Sequence, residues 1–107
     1  MAGQPVQEIV AALEGARTQS GQLLARLLEL SPVMLLFLRH AGCSFCREAL
    51  ADVARDRAAI ERTGVRIVLV HMGDSDAIEK LAERNGLAGV DRICDPERRL
   101  YQAFGLK

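Results

Sequence analysis

One stretch decides the fold: Val33-Met34-Leu35-Leu36-Phe37-Leu38-Arg39-His40-Ala41-Gly42-Cys43-Ser44-Phe45-Cys46-Arg47-Glu48. Its first part is short, almost wholly apolar and follows Ser31-Pro32, a pair that pushes the chain out of the helical basin. Such a run reads as a strand, Val33–Leu38, buried on both faces. His40-Ala41-Gly42-Cys43 reads as a loop. A helix then follows, with Cys46, Ala49, Leu50, Val53, Ala54 and Ile60 on one face. Arg47, Asp52, Arg55, Asp56 and Arg62 face water, and Thr63-Gly64 ends it. Val65-Arg66-Ile67-Val68-Leu69-Val70 is a second apolar strand. A strand, a helix and a strand in that order predict a right-handed βαβ unit with parallel strands.

Outward from this unit the pattern stays regular. Upstream, Val6, Ile9, Val10 and Leu13, then Leu23, Leu24, Leu27 and Leu28, recur at helical spacing. Gly15 and Thr18-Gln19-Ser20-Gly21 separate them. Two short helices, one kinked helix, or a hairpin around Ser20-Gly21 satisfy this pattern. Downstream, Gly73-Asp74-Ser75-Asp76 reads as a turn with capping residues. Ala77, Ile78, Leu81 and Ala82 mark a short helix ended by Gly86, and Ile93-Cys94 a short extended piece. Asp95-Pro96 looks like the N-cap and first position of a last helix, with Leu100, Tyr101 and Phe104 on its apolar face and Gly105 at its end. The organisation expected is one domain over 1–107, with an N-terminal helical segment at 1–30 and a βαβ core at 31–107.

Composition removes several classes of function. The 107 residues fit one small domain, and 50% hydrophobic with 26% charged residues is the balance of a folded globule. Lys+Arg is 14 and Asp+Glu is 14, so the basic excess of a general nucleic-acid binder is missing. No apolar run approaches the roughly 20 residues of a membrane span, and Met1-Ala2-Gly3-Gln4-Pro5 lacks a basic signal-peptide start. A cytoplasmic, reducing location is the expectation, with no membrane or nucleic-acid partner. The 3 cysteines, an odd number, argue against a structural disulfide framework.

Cys43 and Cys46 form a C-x-x-C just after a buried strand and at the first turn of a helix. Unpaired backbone N–H groups and the positive end of the helix dipole favour a thiolate at Cys43. Arg39, Arg47 and a protonated His40 add to that field. Such settings lower a thiol pKa from about 8.5 into the range of roughly 3.5–7.5. The spacing puts Cys46 one turn along, where its thiol reaches Cys43 and closes an easily reduced disulfide. Cys43 is the expected attacking thiol and Cys46, deeper on the helix, the resolving one. The competing explanation is half a zinc site, which calls for a second ligand pair; the spare candidates Cys94, His40 and His71 are each isolated. Cys94 reads more readily as a small buried hydrophobe than as a third redox thiol. His71, at the C-terminal end of the second strand, reads as a surface or half-buried histidine. His40 is open between proton transfer or thiolate stabilisation and loop packing. Phe45 suits an exposed apolar contact for a partner, and Glu97-Arg98-Arg99 a solvated helix face.

Phe37-Leu38-Arg39-His40-Ala41-Gly42-Cys43-Ser44-Phe45-Cys46-Arg47-Glu48 resembles the active-site stretch of peroxiredoxin-like proteins of the AhpC/TSA group in the thioredoxin superfamily. The branch with a C-x-x-C, which includes selenoprotein-L-like members, is the nearest. Asp95-Pro96-Glu97-Arg98-Arg99-Leu100-Tyr101 with Phe104-Gly105-Leu106 is similar to the same branch. The resemblance spans about residues 31 to 107. It implies an α/β thioredoxin-like fold, a small mainly parallel sheet with flanking helices, and thiol redox chemistry. Cys43 matches the peroxidatic or attacking cysteine and Cys46 the resolving one. His40 stands where typical peroxiredoxins carry threonine or serine, and Gly42 and Phe45 stand where thioredoxins carry Trp and Pro. The fold normally continues into a β-hairpin and a closing helix. This sequence stops at Lys107 before them, so the expectation is a thioredoxin-like fold without that hairpin and helix.

These readings converge on a thiol-disulfide oxidoreductase or thiol-dependent antioxidant. It would act on a peroxide or on a protein or small-molecule disulfide, with Cys43, Cys46, His40, Arg39 and Arg47 as site residues. No organic cofactor or metal is required; thioredoxin, glutaredoxin or glutathione would supply electrons. The alternatives are a dimerising or redox-sensing module without efficient turnover, and a zinc-binding fragment. Without the hairpin, Val33–Leu38 would present an open edge, which predicts a homodimer. Leu23, Leu24, Leu27 and Leu28 would then cover the apolar face left bare by the closing helix.

Overall fold

The computed structural model describes residues 4–38, 44–73 and 75–105. Its elements run α1 (Gln4–Gly15), α2 (Leu24–Leu30), β1 (Val33–Phe37), α3 (Ser44–Arg62), β2 (Arg66–His71), α4 (Ser75–Arg84), β3 (Asp91–Cys94) and α5 (Arg99–Ala103). The three strands form one parallel sheet in the order β1-β2-β3. The β1-α3-β2 unit is therefore the parallel βαβ the sequence predicts, and the architecture is α/β.

Strand periodicity divides the sheet into two apolar faces. Met34, Leu36, Leu38, Ile67 and Leu69 meet Cys46, Leu50 and Val53 of α3 and Ile78, Leu81 and Ala82 of α4. Val33, Leu35, Phe37, Val68, Val70 and Ile93 meet Ala12, Leu13, Ala16, Leu24, Leu27, Leu100 and Tyr101. The N-terminal helices thus cover a face of the sheet through Leu24 and Leu27, while Leu28 stays exposed. Gly64, at φ 89°, takes the left-handed conformation that ends α3 and turns the chain into β2.

Between α1 and α2 the chain makes both of the features the sequence left open. Two helices form, and a tight turn joins them. Thr18 N–H donates to the Gln22 carbonyl at 2.8 Å, and Gly21 N–H to the Thr18 carbonyl at 2.9 Å. Arg17 and Leu23 form an antiparallel bridge beside this turn.

Two expectations are corrected. Every residue of β1 is half-buried, not buried on both faces. Among the described residues β1 has a neighbouring strand on one side only, whereas β2, between two strands, is buried along almost its whole length. The last helix also starts later than Asp95-Pro96 suggests. Pro96 and Glu97 form a turn closed by Arg98 N–H donating to the Asp95 carbonyl at 3.0 Å, and Arg98, at φ 57° and ψ 33°, precedes the first helical residue. The capping chemistry survives the shift. The Asp95 carboxylate still accepts from helix N–H groups, those of Arg99 at 3.0 Å and Leu100 at 2.8 Å.

Candidate active site

Parallel strands end together, so their C-terminal ends bring Leu38, His71, Cys94 and Asp95 to one side of the sheet. The ladder continues past the strands. Leu38 N–H donates to the Val70 carbonyl at 2.8 Å, and Asp95 N–H to the His71 carbonyl at 2.6 Å. Cys46 enters this side from the first turn of α3 and is buried at 5% exposure. Cys46 is therefore inside the core, packed with Leu38 and Leu50. Arg47, the next residue, is exposed. Arg39, His40 and Cys43 lie outside the described residues, as do Asp74, Leu106 and the side chain of Phe45.

Tyr101 is the site residue that the sequence reading missed. It was placed on an apolar face, and its ring is indeed buried, edge-on to Phe37 at 5.0 Å between centroids. Its hydroxyl, however, donates to backbone. It reaches the Leu38 carbonyl and, at 3.0 Å, the Val70 carbonyl. Burial pushes its ionisation above the ordinary tyrosine range, and Asp95, Cys46 and Cys94 push the same way. Tyr101 therefore stays a neutral donor throughout the pH range in which thiols titrate. The available signal was a lone tyrosine among apolar positions, since a buried phenol finds a partner for its O–H.

Two further residues differ from expectation. His71 is fully buried, because the last residue of the central strand is enclosed from both sides. Cys94 is exposed, with its Sγ 3.7 Å from the Gly73 carbonyl oxygen. It is the last residue of an edge strand and points outward, while its neighbour Ile93 fills the core. Glu97, Arg98 and Arg99 are solvated as expected, with Arg99 paired to Glu97 at 2.9 Å. Among the described residues, no three His, Cys, Asp or Glu side chains cluster as a metal site would require. No helix among them is long and apolar enough to cross a membrane.

The fold and this site define a thioredoxin-like protein with the second cysteine of a C-x-x-C buried at the first turn of the helix after β1. The model of the AhpC/TSA family matches residues 3–107, and the chain belongs to that family. Peroxiredoxin-like 2C of Homo sapiens is 27% identical over 111 residues, which take in 98% of this chain and 47% of that protein. The chain thus spans about half the length of the peroxiredoxin-like 2C proteins it matches. Among solved structures, MTB dsbF superposes with a TM-score of 0.70 at 20% identity, covering 91% of this chain and 72% of the other. A peroxiredoxin Q of Xanthomonas campestris gives 0.71 at 16% identity, covering 88% and 61%. At these identities the likeness is one of fold, and that fold is thioredoxin-like.

Proposed function

We propose that this chain is a thiol-dependent oxidoreductase that works through the Cys43–Cys46 pair over a single redox domain. The burial of Cys46 at the start of α3 carries this reading, because a resolving thiol is kept from solvent until its partner is oxidised. Family membership and the fold shared with a peroxiredoxin Q and with MTB dsbF, a protein seen in mixed oxidised and reduced forms, support it. The Cys43 thiolate attacks one oxygen of a hydroperoxide, breaking the O–O bond. It becomes a sulfenic acid as the alcohol or water departs. The Cys46 thiol then attacks that sulfur, forming the disulfide and releasing water. With a disulfide substrate, Cys43 forms a mixed disulfide that Cys46 resolves. In either case a dithiol of the thioredoxin or glutaredoxin kind, or two glutathiones, returns the two electrons in a reducing cytoplasm. Arg39, His40 and Arg47 stabilise the Cys43 thiolate.

The test uses reduced protein with hydrogen peroxide and, separately, with a protein disulfide. Two thiols are lost per molecule in the wild type and none of the pair in Cys43→Ser. Cys46→Ser accumulates the sulfenic acid or the mixed disulfide. Turnover retained in Cys43→Ser overturns the mechanism.

A second observation favours assembly. Even-numbered residues of β1 use their N–H toward β2, as Leu38 does, so Val33, Leu35 and Phe37 aim theirs at the other edge. Two copies pairing these edges about a two-fold axis would give a continuous sheet and a homodimer. A dimer of this kind that oxidises without turning over is the redox-sensing alternative. Multiple turnovers with a thiol donor exclude it.

A further inference from the structure

His71 is buried and titratable, yet the thiol chemistry of the Cys43–Cys46 pair leaves it idle. Strand alternation fixes where it lies. Val68, Val70 and, one residue past the strand, Met72 pack with α1, α2 and α5. Ile67 and Leu69 pack with α3 and α4. The His71 side chain belongs with this second set. Across the ladder Leu38 falls opposite His71, and its N–H donates to the Val70 carbonyl at 2.8 Å. Adjacent strands run only about 4.8 Å apart. Cys46, from the first turn of α3, packs into that same cluster with Leu38. An imidazole at 0% exposure and a thiol at 5% therefore share the enclosed C-terminal end of one sheet face. We infer that His71 is the general base for Cys46, taking the thiol proton that burial keeps from water.

This inference rests on the redox reading and supplies the proton route that its second step needs. A thiol attacks as the thiolate, so the Cys46 proton must leave within the core. Among the described residues the other groups nearby are engaged elsewhere or lie in solvent. Tyr101 donates its proton to the Leu38 and Val70 carbonyls and keeps it to high pH. The Asp95 carboxylate accepts from the Arg99 and Leu100 N–H groups of α5. Cys94, beside His71 in the register, is exposed. Arg47 and Glu48 on α3 and Asp76 and Glu79 on α4 are exposed too. Imidazole is also the side chain whose charge changes nearest neutral pH. An imidazole nitrogen takes the proton of the Cys46 thiol. The thiolate attacks the oxidised partner sulfur, and the S–S bond forms as the S–O bond of a sulfenic acid, or the S–S bond of a mixed disulfide, breaks. The departing hydroxide or thiolate takes the proton from the imidazolium, leaving as water or thiol. His71 ends neutral and carries no electrons.

The chain holds 2 histidines, so the imidazole signals of His71 are identified by their loss in His71→Gln. The first measurement needs no oxidant. The nitrogen resonances of His71 are followed against pH in the reduced wild type and in Cys46→Ala. Removing the thiol should weaken proton binding at the imidazole about tenfold, because the thiolate that steadies the imidazolium is gone. The second measurement follows disulfide closure after a pulse of hydrogen peroxide, with an alkylating reagent as quench. His71→Gln should close about a hundredfold more slowly at pH 7, the low end of what a positioned base supplies, and should regain about tenfold in rate per pH unit as hydroxide takes over. A His71 titration that ignores Cys46→Ala, or a His71→Gln protein slowed equally at every pH, overturns the base role alone. If His71→Gln does not fold, the titration in Cys46→Ala decides by itself. A wild type oxidised by neither peroxide nor a protein disulfide overturns the redox reading, and the base role with it.

Discussion

The two edges of the sheet are treated in opposite ways. On the β3 side, the turn between α1 and α2 closes the ladder. Gln19 N–H donates to the Arg92 carbonyl at 2.9 Å, and the Gln19 side-chain oxygen accepts from Arg92 N–H at 2.8 Å. One glutamine thus imitates a neighbouring strand for one residue. Asp91 adds to this edge through Arg66, whose Nε lies 2.7 Å from its carboxylate. On the β1 side, no strand among the described residues pairs outward from Val33, Leu35 and Phe37. The comparison teaches how a sheet edge is protected. A polar side chain from a distant turn satisfies the backbone of β3, and three apolar residues leave β1 as a template for another strand.

Substitutions separate the two edges. The largest effect is expected at Leu24, which is wholly buried and anchors the segment that carries Gln19. Leu24→Ala should cost about 2–5 kcal/mol in urea unfolding, as for other large-to-small core changes, and should also expose the β3 edge. On the β1 side, Leu36→Pro removes a donor used toward β2 and should unfold or aggregate the protein. Leu35→Pro removes an outward donor and should leave the fold intact while converting a dimer to a monomer. Sedimentation of the wild type at about twice 11.7 kDa, falling to that mass in Leu35→Pro, is the expected pair of results. A wild type that sediments as a monomer would show that the β1 edge is protected by other means.

Smaller effects sharpen the contrast. Gln19→Ala should cost about 1 kcal/mol and speed hydrogen exchange at the Arg92 amide, with little change along β1. At high pH, Tyr101 gives its own signature. Its folded pKa lies above the unfolded value, so its contribution to stability is complete below about 10 and is lost as pH rises further. Tyrosinate absorbance should therefore appear together with loss of near-ultraviolet structure, and not before it. The smallest effect belongs to the exposed pair Arg55–Asp52. At 2.7 Å and some two-thirds exposed on each side, it should change stability by less than about 1 kcal/mol in Asp52→Asn.

Much of this architecture was legible because apolar runs and glycines act locally. Val33–Phe37 and Arg66–His71 follow from mostly apolar runs, and α3 ends near Gly64 as its left-handed backbone requires. The burial of Cys46 followed from its place on the apolar face of α3. What stayed hidden depends on partners far away in sequence. His71 is buried because β3 lies beside β2, and Cys94 is exposed because β3 is an edge, neither of which the residue type discloses. The start of α5 was misplaced because Asp95 caps from a distance, across a turn that puts Arg98 in left-handed backbone. The Tyr101 hydroxyl and Gln19 each act on backbone in another element, and backbone carries no mark in a sequence.

The pairing of Gln19 with Arg92 joins groups 73 positions apart. A chain made from its N-terminus at about 5–20 residues per second must wait roughly 4–15 seconds between the two. During that interval Leu24 and Leu27 lack Ile93, Leu100 and Tyr101, part of the apolar cluster they fill. Within this stretch, the turn that carries Gln19 is thus made well before the strand edge it closes, and it can be locked only once β3 is complete.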